Sequence, residues 1–385
     1  MVRSTIARVD LGAVRHNFTT IQTFLEQGAR VNGVAPPAVL AVVKANAYGH
    51  GAVPVAQALE QAGATMLACA DIEEGIVLRR AGVQVPILVF GALSVSDLDG
   101  LFEYRLTPTI STPGAARAVQ AAAAKHRATI GYHLKIDTGM NRLGFRHDNL
   151  RRTVPELLAG SHVRLEAVYT HFASADDPES PVFGEQRERF ERALSVVTAL
   201  AGGTPVRRHA CNSAALLRDS RVWYDTVRPG LLLYGVVPPP LASTLPLKPV
   251  MSLTSRVVAV KGLRPGEGVG YGWRFTADAP RTIAVIPAGY ADGLDTRLSG
   301  RGFVLVRGRR VPVVGAVSMD MLTVDVTDVE AVAPGDEVVI LGRQGDEQGQ
   351  QIDAREIAAS VGMIPWEVLC RLGTRIERSY SEGRT

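Results

Sequence analysis

The sequence predicts an α/β protein: a (β/α)8, TIM-like barrel followed by a mainly-β C-terminal domain. Three observations point there. From about Val39 to Gly235, apolar strand-like runs alternate with amphipathic helical patterns about eight times, the repeat count of such a barrel. A proline-rich stretch, PPPLASTLPLKP, then breaks the rhythm, because proline lacks an N–H and cannot continue a helix. Beyond it, short β-type runs are punctuated by glycine and proline, as in a small β domain.

The elements follow in order. TIARVDL alternates like a strand and is expected to return to the second domain, so residues 1–11 are assigned there, 12–240 to the barrel and 246–385 to the β domain. LAVVK precedes AVPVAQALEQAG, TMLACA precedes DIEEGIVLRRAG, and PILVF precedes SDLDGLFEYR. TPTI precedes an alanine-rich helix from Pro113, and YHLKID precedes HDNLRRTVPELLAG. LEAVYTH precedes a long helix from Phe183 to Leu200, VRRHA precedes SAALLRD, and YDTVRPGL leads to LLLYG. Continuous apolar strands with amphipathic helices suit a parallel sheet covered by helices. An open doubly wound sheet is the alternative, and it usually has fewer units. In the second domain, DAREIAASVG is the one convincing helix, capped by Asp353 and ended by Gly362.

Composition removes whole classes of function. With 385 residues, 42 basic and 38 acidic side chains and a net charge of +4, no nucleic-acid partner is expected. The densest basic patch, RGRR at 307–310, lies between β-like runs and reads as a hairpin turn. No segment has the ~20 apolar residues of a membrane span, and the N-terminal residues lack the apolar core of a signal peptide. Three scattered cysteines imply no disulfide framework, so a cytoplasmic protein is expected. The acids of ASADD and YADGLD have no clustered His or Cys beside them, and no metal is expected.

Lys44 ends the first apolar run, where barrel enzymes place their chemistry. Position alone favours a rim lysine whose ammonium snorkels into water. Held among apolar neighbours, a lysine instead has a lowered pKa and can form a Schiff base with a carbonyl. The surrounding AVVKANAYGHG at 41–51, with Lys44 and Tyr48 four apart, resembles the cofactor-lysine motif of the alanine racemases. The resemblance recurs in KIDTGMNRLGF at 135–145, THFASAD at 170–176, HACNSAA at 209–215 and VRPGLLLYG at 227–235. It continues through VGYGWRF at 269–275, AGYADGL at 288–294 and VSMDM at 317–321. The motifs keep the family's order over nearly the whole chain.

The resemblance implies an L-/D-alanine interconversion dependent on pyridoxal 5′-phosphate, which spreads the carbanion of the substrate's α-carbon. A racemase of broader or serine-type specificity is the alternative. Lys44 would hold the cofactor and act as base on one face. Tyr271, from the β domain of the other subunit of a homodimer, would serve the opposite face; phenols are poor bases at neutral pH, so His171 matches the histidine that assists it. Arg228 matches the arginine facing the cofactor's ring nitrogen, where a donor-only group cannot keep a proton. His209 matches the residue that orients Arg228. Arg142 matches a contact to cofactor and substrate carboxylate, suited to a guanidinium fork. Lys135 stands where the family often has a carbamylated lysine; an ordinary strand lysine is the equal alternative. Asn212, Ser213, Gly230 and Leu231 match a phosphate cradle, with Tyr48 as a phenolic donor. Met319 matches a backbone contact to the substrate carboxylate from the partner subunit, and Tyr290 and Asp176 match entrance residues. Met321 has no counterpart and is expected in the core. The chain departs from the family after Cys370, where Thr374 replaces a second phosphate-binding tyrosine; a hydroxyl that short cannot copy its reach.

Overall fold

The computed structural model describes residues 4–93, 97–203, 205–345 and 348–383. Ser96, where one of the helical readings begins, lies outside them. The chain opens with β1 (Ile6–Asp10) and runs directly into α1 (Leu11–Val31). The Asp10 carboxylate caps that helix by accepting from Ala13 N at 2.8 Å. Leu11, Val14, Phe18, Ile21 and Leu25, spaced three or four apart, form its buried stripe.

The barrel follows as β2 (Ala38–Val42), β3 (Met66–Cys69), β4 (Ile87–Val89), β5 (Thr107–Ile110), β6 (Ile130–Asp137), β7 (Val163–Tyr169), β8 (Arg207–His209) and β9 (Thr226–Val227). Among the described residues these eight strands pair in parallel in sequence order, and β9 returns to β2 with Thr226 opposite Ala38. The open-sheet alternative is therefore excluded. Val39, Leu40, Ala41 and Val42 are all buried, because this sheet is covered on both faces. Helices on the outside include α2 (Ala52–Gln61), α3 (Ile72–Arg80), α4 (Asp99–Glu103), α5 (Pro113–Lys125), α6 (Val182–Leu200) and α7 (Ser213–Arg218). HDNLRRTVPELLAG folds as two short helices, Leu150–Thr153 and Pro155–Leu158. Pro155 divides them: it has no N–H to continue the hydrogen-bond ladder, although Val154 before it keeps right-handed helical geometry.

In the second domain, β10 (Met251–Arg256), β11 (Ala259–Leu263), β12 (Arg281–Ile286), β13 (Phe303–Val306), β14 (Arg309–Val314), β15 (Leu322–Asp325) and β16 (Glu337–Arg343) precede α8 (Ala354–Val361), α9 (Pro365–Cys370) and β17 (Glu377–Ser381). The sheet order is β11-β12-β15-β14-β13-β16-β10-β1-β17. The N-terminal strand thus lies inside this sheet. It pairs antiparallel with β10, Ile6 opposite Thr254, and parallel with β17, Ile6 opposite Glu377. RGRR forms the β13–β14 hairpin; Arg307 and Gly308 both have positive φ, 51° and 73°, as a two-residue turn matching the strand twist requires. The sequence reading of a single convincing helix is corrected by α9. Only six residues long, it starts at Pro365 in the N1 position and has too few turns for a periodic signal.

Candidate active site

The first barrel strand ends at Val42, one residue short of the apolar run's last residue, Val43, and two short of Lys44. Lys44 starts a turn in which Ala45, Asn46, Ala47 and Tyr48 have φ of 53–54°. This is a left-handed turn built of non-glycine residues, at about 1–2 kcal/mol each. Its backbone bonds are Ala47 N to Val43 O, 2.8 Å, and Gly49 N to Ala45 O, 2.9 Å. Side chains hold it from three directions. The Glu74 carboxylate, from α3, accepts from Ala45 N and Ala70 N, both at 2.7 Å. Asn46 Oδ1 accepts from Ala52 N at 2.8 Å. His50 Nδ1 donates to the carbonyls of Ala47, 2.9 Å, and Tyr48, 3.0 Å. Tyr234 completes the support: its hydroxyl donates to Val42 O at 2.9 Å, and its ring packs between His50 and Tyr48. The turn brings Lys44 and Tyr48 onto one cavity of about 580 Å³ at the C-terminal ends of the strands.

That cavity collects Lys44, Tyr48, Lys135, Arg142, His171, Asp176, Asn212, Ser213, Arg228, Gly230 and Leu231 from five of the eight sequence motifs. Arg228 is buried and committed to acceptors. Its two Nη2 hydrogens are shared among Thr170 O at 2.9 Å, Ala210 O at 3.0 Å and, at the longer 3.3 Å, His171 Nδ1, and its Nη1 donates to His209 Nδ1 at 3.0 Å. Burial pulls its pKa down to about 10, so it stays protonated at neutral pH. Burial, then the Arg228 charge, hold His171 and His209 well below the usual histidine range, hence neutral. Lys44 is lowered first by burial and then by Arg142. Lys135, likewise buried and facing Arg142 and Arg228, falls to about 8. Asp137 shapes the loop carrying Arg142: its Oδ1 accepts from Gly139 N and Asn141 N, both at 3.0 Å. Ser213 Oγ accepts from Gly230 N at 3.0 Å, and Asn212 caps α7 through Ala215 N, 2.9 Å. A Cβ on Gly230 would fall on the Tyr48 hydroxyl, so only glycine lets that phenol approach the backbone there.

His209 sits behind Arg228 and does not line the cavity. Tyr271, Tyr290 and Met319 do not line it either. They are on the β domain and exposed, Tyr271 at 77%. Met321, expected in the core, is 47% exposed. The Ser318 hydroxyl closes a tight turn with Met321 N and O, which leaves both methionines outside. Thr374 is exposed. Sequence reasoning missed Glu74, Tyr169, Tyr234, Trp366 and Cys370. The last two bring α9 to the cavity wall. Tyr169 stands with its ring 5.3 Å from the Arg228 guanidinium and 5.7 Å from Lys135 Nζ. The strand LEAVYTH held the Tyr169 signal: a polar-tipped aromatic at the strand's last residue, on the C-terminal rim.

Fold and cavity define a barrel enzyme whose centre lies at the strand C-termini, around a half-buried amine in a cationic pocket. Residues 9–238 match the family model described as alanine racemase, N-terminal domain, and residues 250–380 its C-terminal domain. A curated alanine racemase of Halothermothrix orenii is 38% identical over 381 residues, covering 99% of this chain and 97% of that protein. The crystal structure of alanine racemase from D-cycloserine-producing Streptomyces lavendulae superimposes with a TM-score of 0.92 at 35% identity, covering 100% of this chain and 98% of that one. That from Bacillus anthracis with bound L-Ala-P gives 0.87 at 35% identity, covering 99% and 96%. The chain belongs to the alanine racemase family.

Proposed function

We propose that the chain interconverts L- and D-alanine with pyridoxal 5′-phosphate held at Lys44, as a homodimer in which each β domain completes the other copy's site. One observation carries the reading: a lysine and a donor-only arginine face one cationic cavity, while the aromatic turn bearing Tyr271 projects from the β domain unpartnered by its own barrel. The donor set suits a phosphate-bearing aldehyde. Four cations, Lys44, Lys135, Arg142 and Arg228, face the cavity against Asp176 alone among the described residues. Ser213, Asn212, the Gly230 and Leu231 backbone and the Tyr48 phenol gather at one end as a phosphate cradle.

The bound cofactor supplies an electron sink that acidifies the substrate's α-proton. The chain's residues do the rest. Lys44 Nζ, with its pKa lowered, accepts or returns that proton on one face. The Tyr271 hydroxyl of a second copy exchanges it on the other. Because Arg228 only donates, His171 Nδ1 must accept and its proton sits on Nε2; that N–H is the donor that steadies a phenolate. Arg228 donates to a basic ring nitrogen without protonating it. Arg142 holds the substrate carboxylate in its fork, the Met319 backbone of the second copy assists, and Tyr290 and Asp176 narrow the entrance. Carbamylated, Lys135 becomes an anion able to hold Arg142.

The test is L-alanine in D2O with the cofactor-loaded protein. D-Alanine carrying α-deuterium is expected. Lys44→Ala removes the cofactor's visible absorbance, while Tyr271→Phe keeps it and loses roughly 10²–10⁴-fold in turnover. Full turnover by Tyr271→Phe ends the two-base reading, and faster turnover of serine than alanine moves the chain to the broader specificity.

A further inference from the structure

The hydrogen bonds that hold Arg228 do not stop at His209. His209 Nε2 lies 2.9 Å from Nδ1 of His133, a buried side chain on β6 two residues before Lys135. We propose that His133 is a positioning residue for Arg228, acting through the His209 ring. The proposal rests on the function given above for Arg228.

The direction of each bond follows from chemistry. A guanidinium can only donate, so His209 Nδ1 accepts from Arg228 Nη1. A neutral imidazole carries one proton, so the His209 proton is on Nε2 and is donated to His133 Nδ1. The His133 proton is then on its own Nε2. Protonation of either ring would break the sequence, and both are kept neutral. Burial lowers His133 to about 3, with the charges of Arg207 and Arg228 adding to the effect. The His209 ring is also clamped sideways: Tyr169 stacks on it at 4.6 Å and 9°, and the Tyr169 hydroxyl is 3.0 Å from Thr109 Oγ1. Without an acceptor at His133, the buried His209 N–H has no partner. A ring flip that seeks one turns a proton or a carbon toward Arg228, which then loses an acceptor.

Two variants separate this role from mere packing. His133→Leu removes the acceptor, while His133→Asn places Oδ1 near the position of Nδ1 and restores it. In the loaded enzyme, Leu is expected to lower kcat for alanine about tenfold with KM within about twofold, and Asn to recover it to within about threefold. Cofactor absorbance should persist in both. In the wild-type holoenzyme with ¹⁵N-labelled histidine, His209 and His133 should each be protonated at Nε2 only. Wild-type turnover by the Leu variant, an Asn variant as slow as Leu, or a proton on His209 Nδ1 overturns the proposal. If Leu does not fold, the Asn rate and the wild-type tautomers decide. If the wild type does not racemise alanine, the proposed function falls, and the tautomers alone decide the positioning role.

Discussion

Glu74 bridges the amides of Ala45 and Ala70, and so ties the left-handed turn under Lys44 to the end of β3. Glu74→Gln keeps the shape but not the function. One oxygen still accepts; the amide nitrogen now opposes an N–H, and a charged hydrogen bond of about 1.5–3 kcal/mol is lost. Four left-handed residues store about 4–8 kcal/mol, so this anchor is a large share of what holds them. For a unit the size of residues 9–238, unfolding entropy is about 0.5 kcal/mol/K. The melting temperature should therefore fall by about 3–6 °C. The change also removes a charge that holds the Lys44 pKa up against burial and Arg142. With that pKa lower, more Lys44 is neutral at any given pH. Acylation of Lys44 in the cofactor-free protein by an amine reagent, followed by mass spectrometry across pH, should have its midpoint shifted to lower pH. An unchanged melting temperature together with an unmoved or raised midpoint refutes the reasoning, because neither the anchor nor the charge would then act on Lys44.

Gly230→Ala sets a methyl group on the Tyr48 hydroxyl; cofactor affinity by fluorescence titration should weaken by about tenfold or more, while the melting temperature changes little. Lys135, at about 8, has substantial free amine near neutral pH; ¹³C-bicarbonate should give a carbamate NMR signal that Lys135→Ala abolishes. If the proposed homodimer shares its sites, dilution should dissociate it and reduce specific activity in parallel, read by light scattering beside the rate; activity that is fully retained by monomers contradicts the shared site.

The eight strand–helix units and the change of rhythm were legible because a parallel barrel needs continuous apolar strands and a β domain needs short ones. Lys44, Arg142, His171 and Arg228 were legible through motifs, and the structure brings these four to one cavity. The turn at 45–48 was not. Of these residues only asparagine leans toward the left-handed region, and then as a single residue; the geometry of the four comes from Glu74 and His50, whose hydrogen bonds reach across the turn. Trp366 and Cys370 were invisible for a different reason: a single helical turn and a half has no period to detect, and its position depends on packing between domains. Met321 misled because a methionine reads as core wherever a loop's projection is unknown. His133 stood two residues from a flagged lysine, but strand alternation alone cannot say which buried imidazole meets another.

The strand Ile6–Asp10 has a consequence for biogenesis. Its neighbour Glu377–Ser381 lies hundreds of residues later in the sequence, so during synthesis this edge of the earlier strand stays uncovered until the later one has emerged. The chain also passes between the two domains twice, at Asp10–Leu11 and again before Met251, like a door hung on two hinges with separate pins. Two separate crossings restrain such a swing more than one would, and α9 lines the barrel mouth through Trp366 and Cys370.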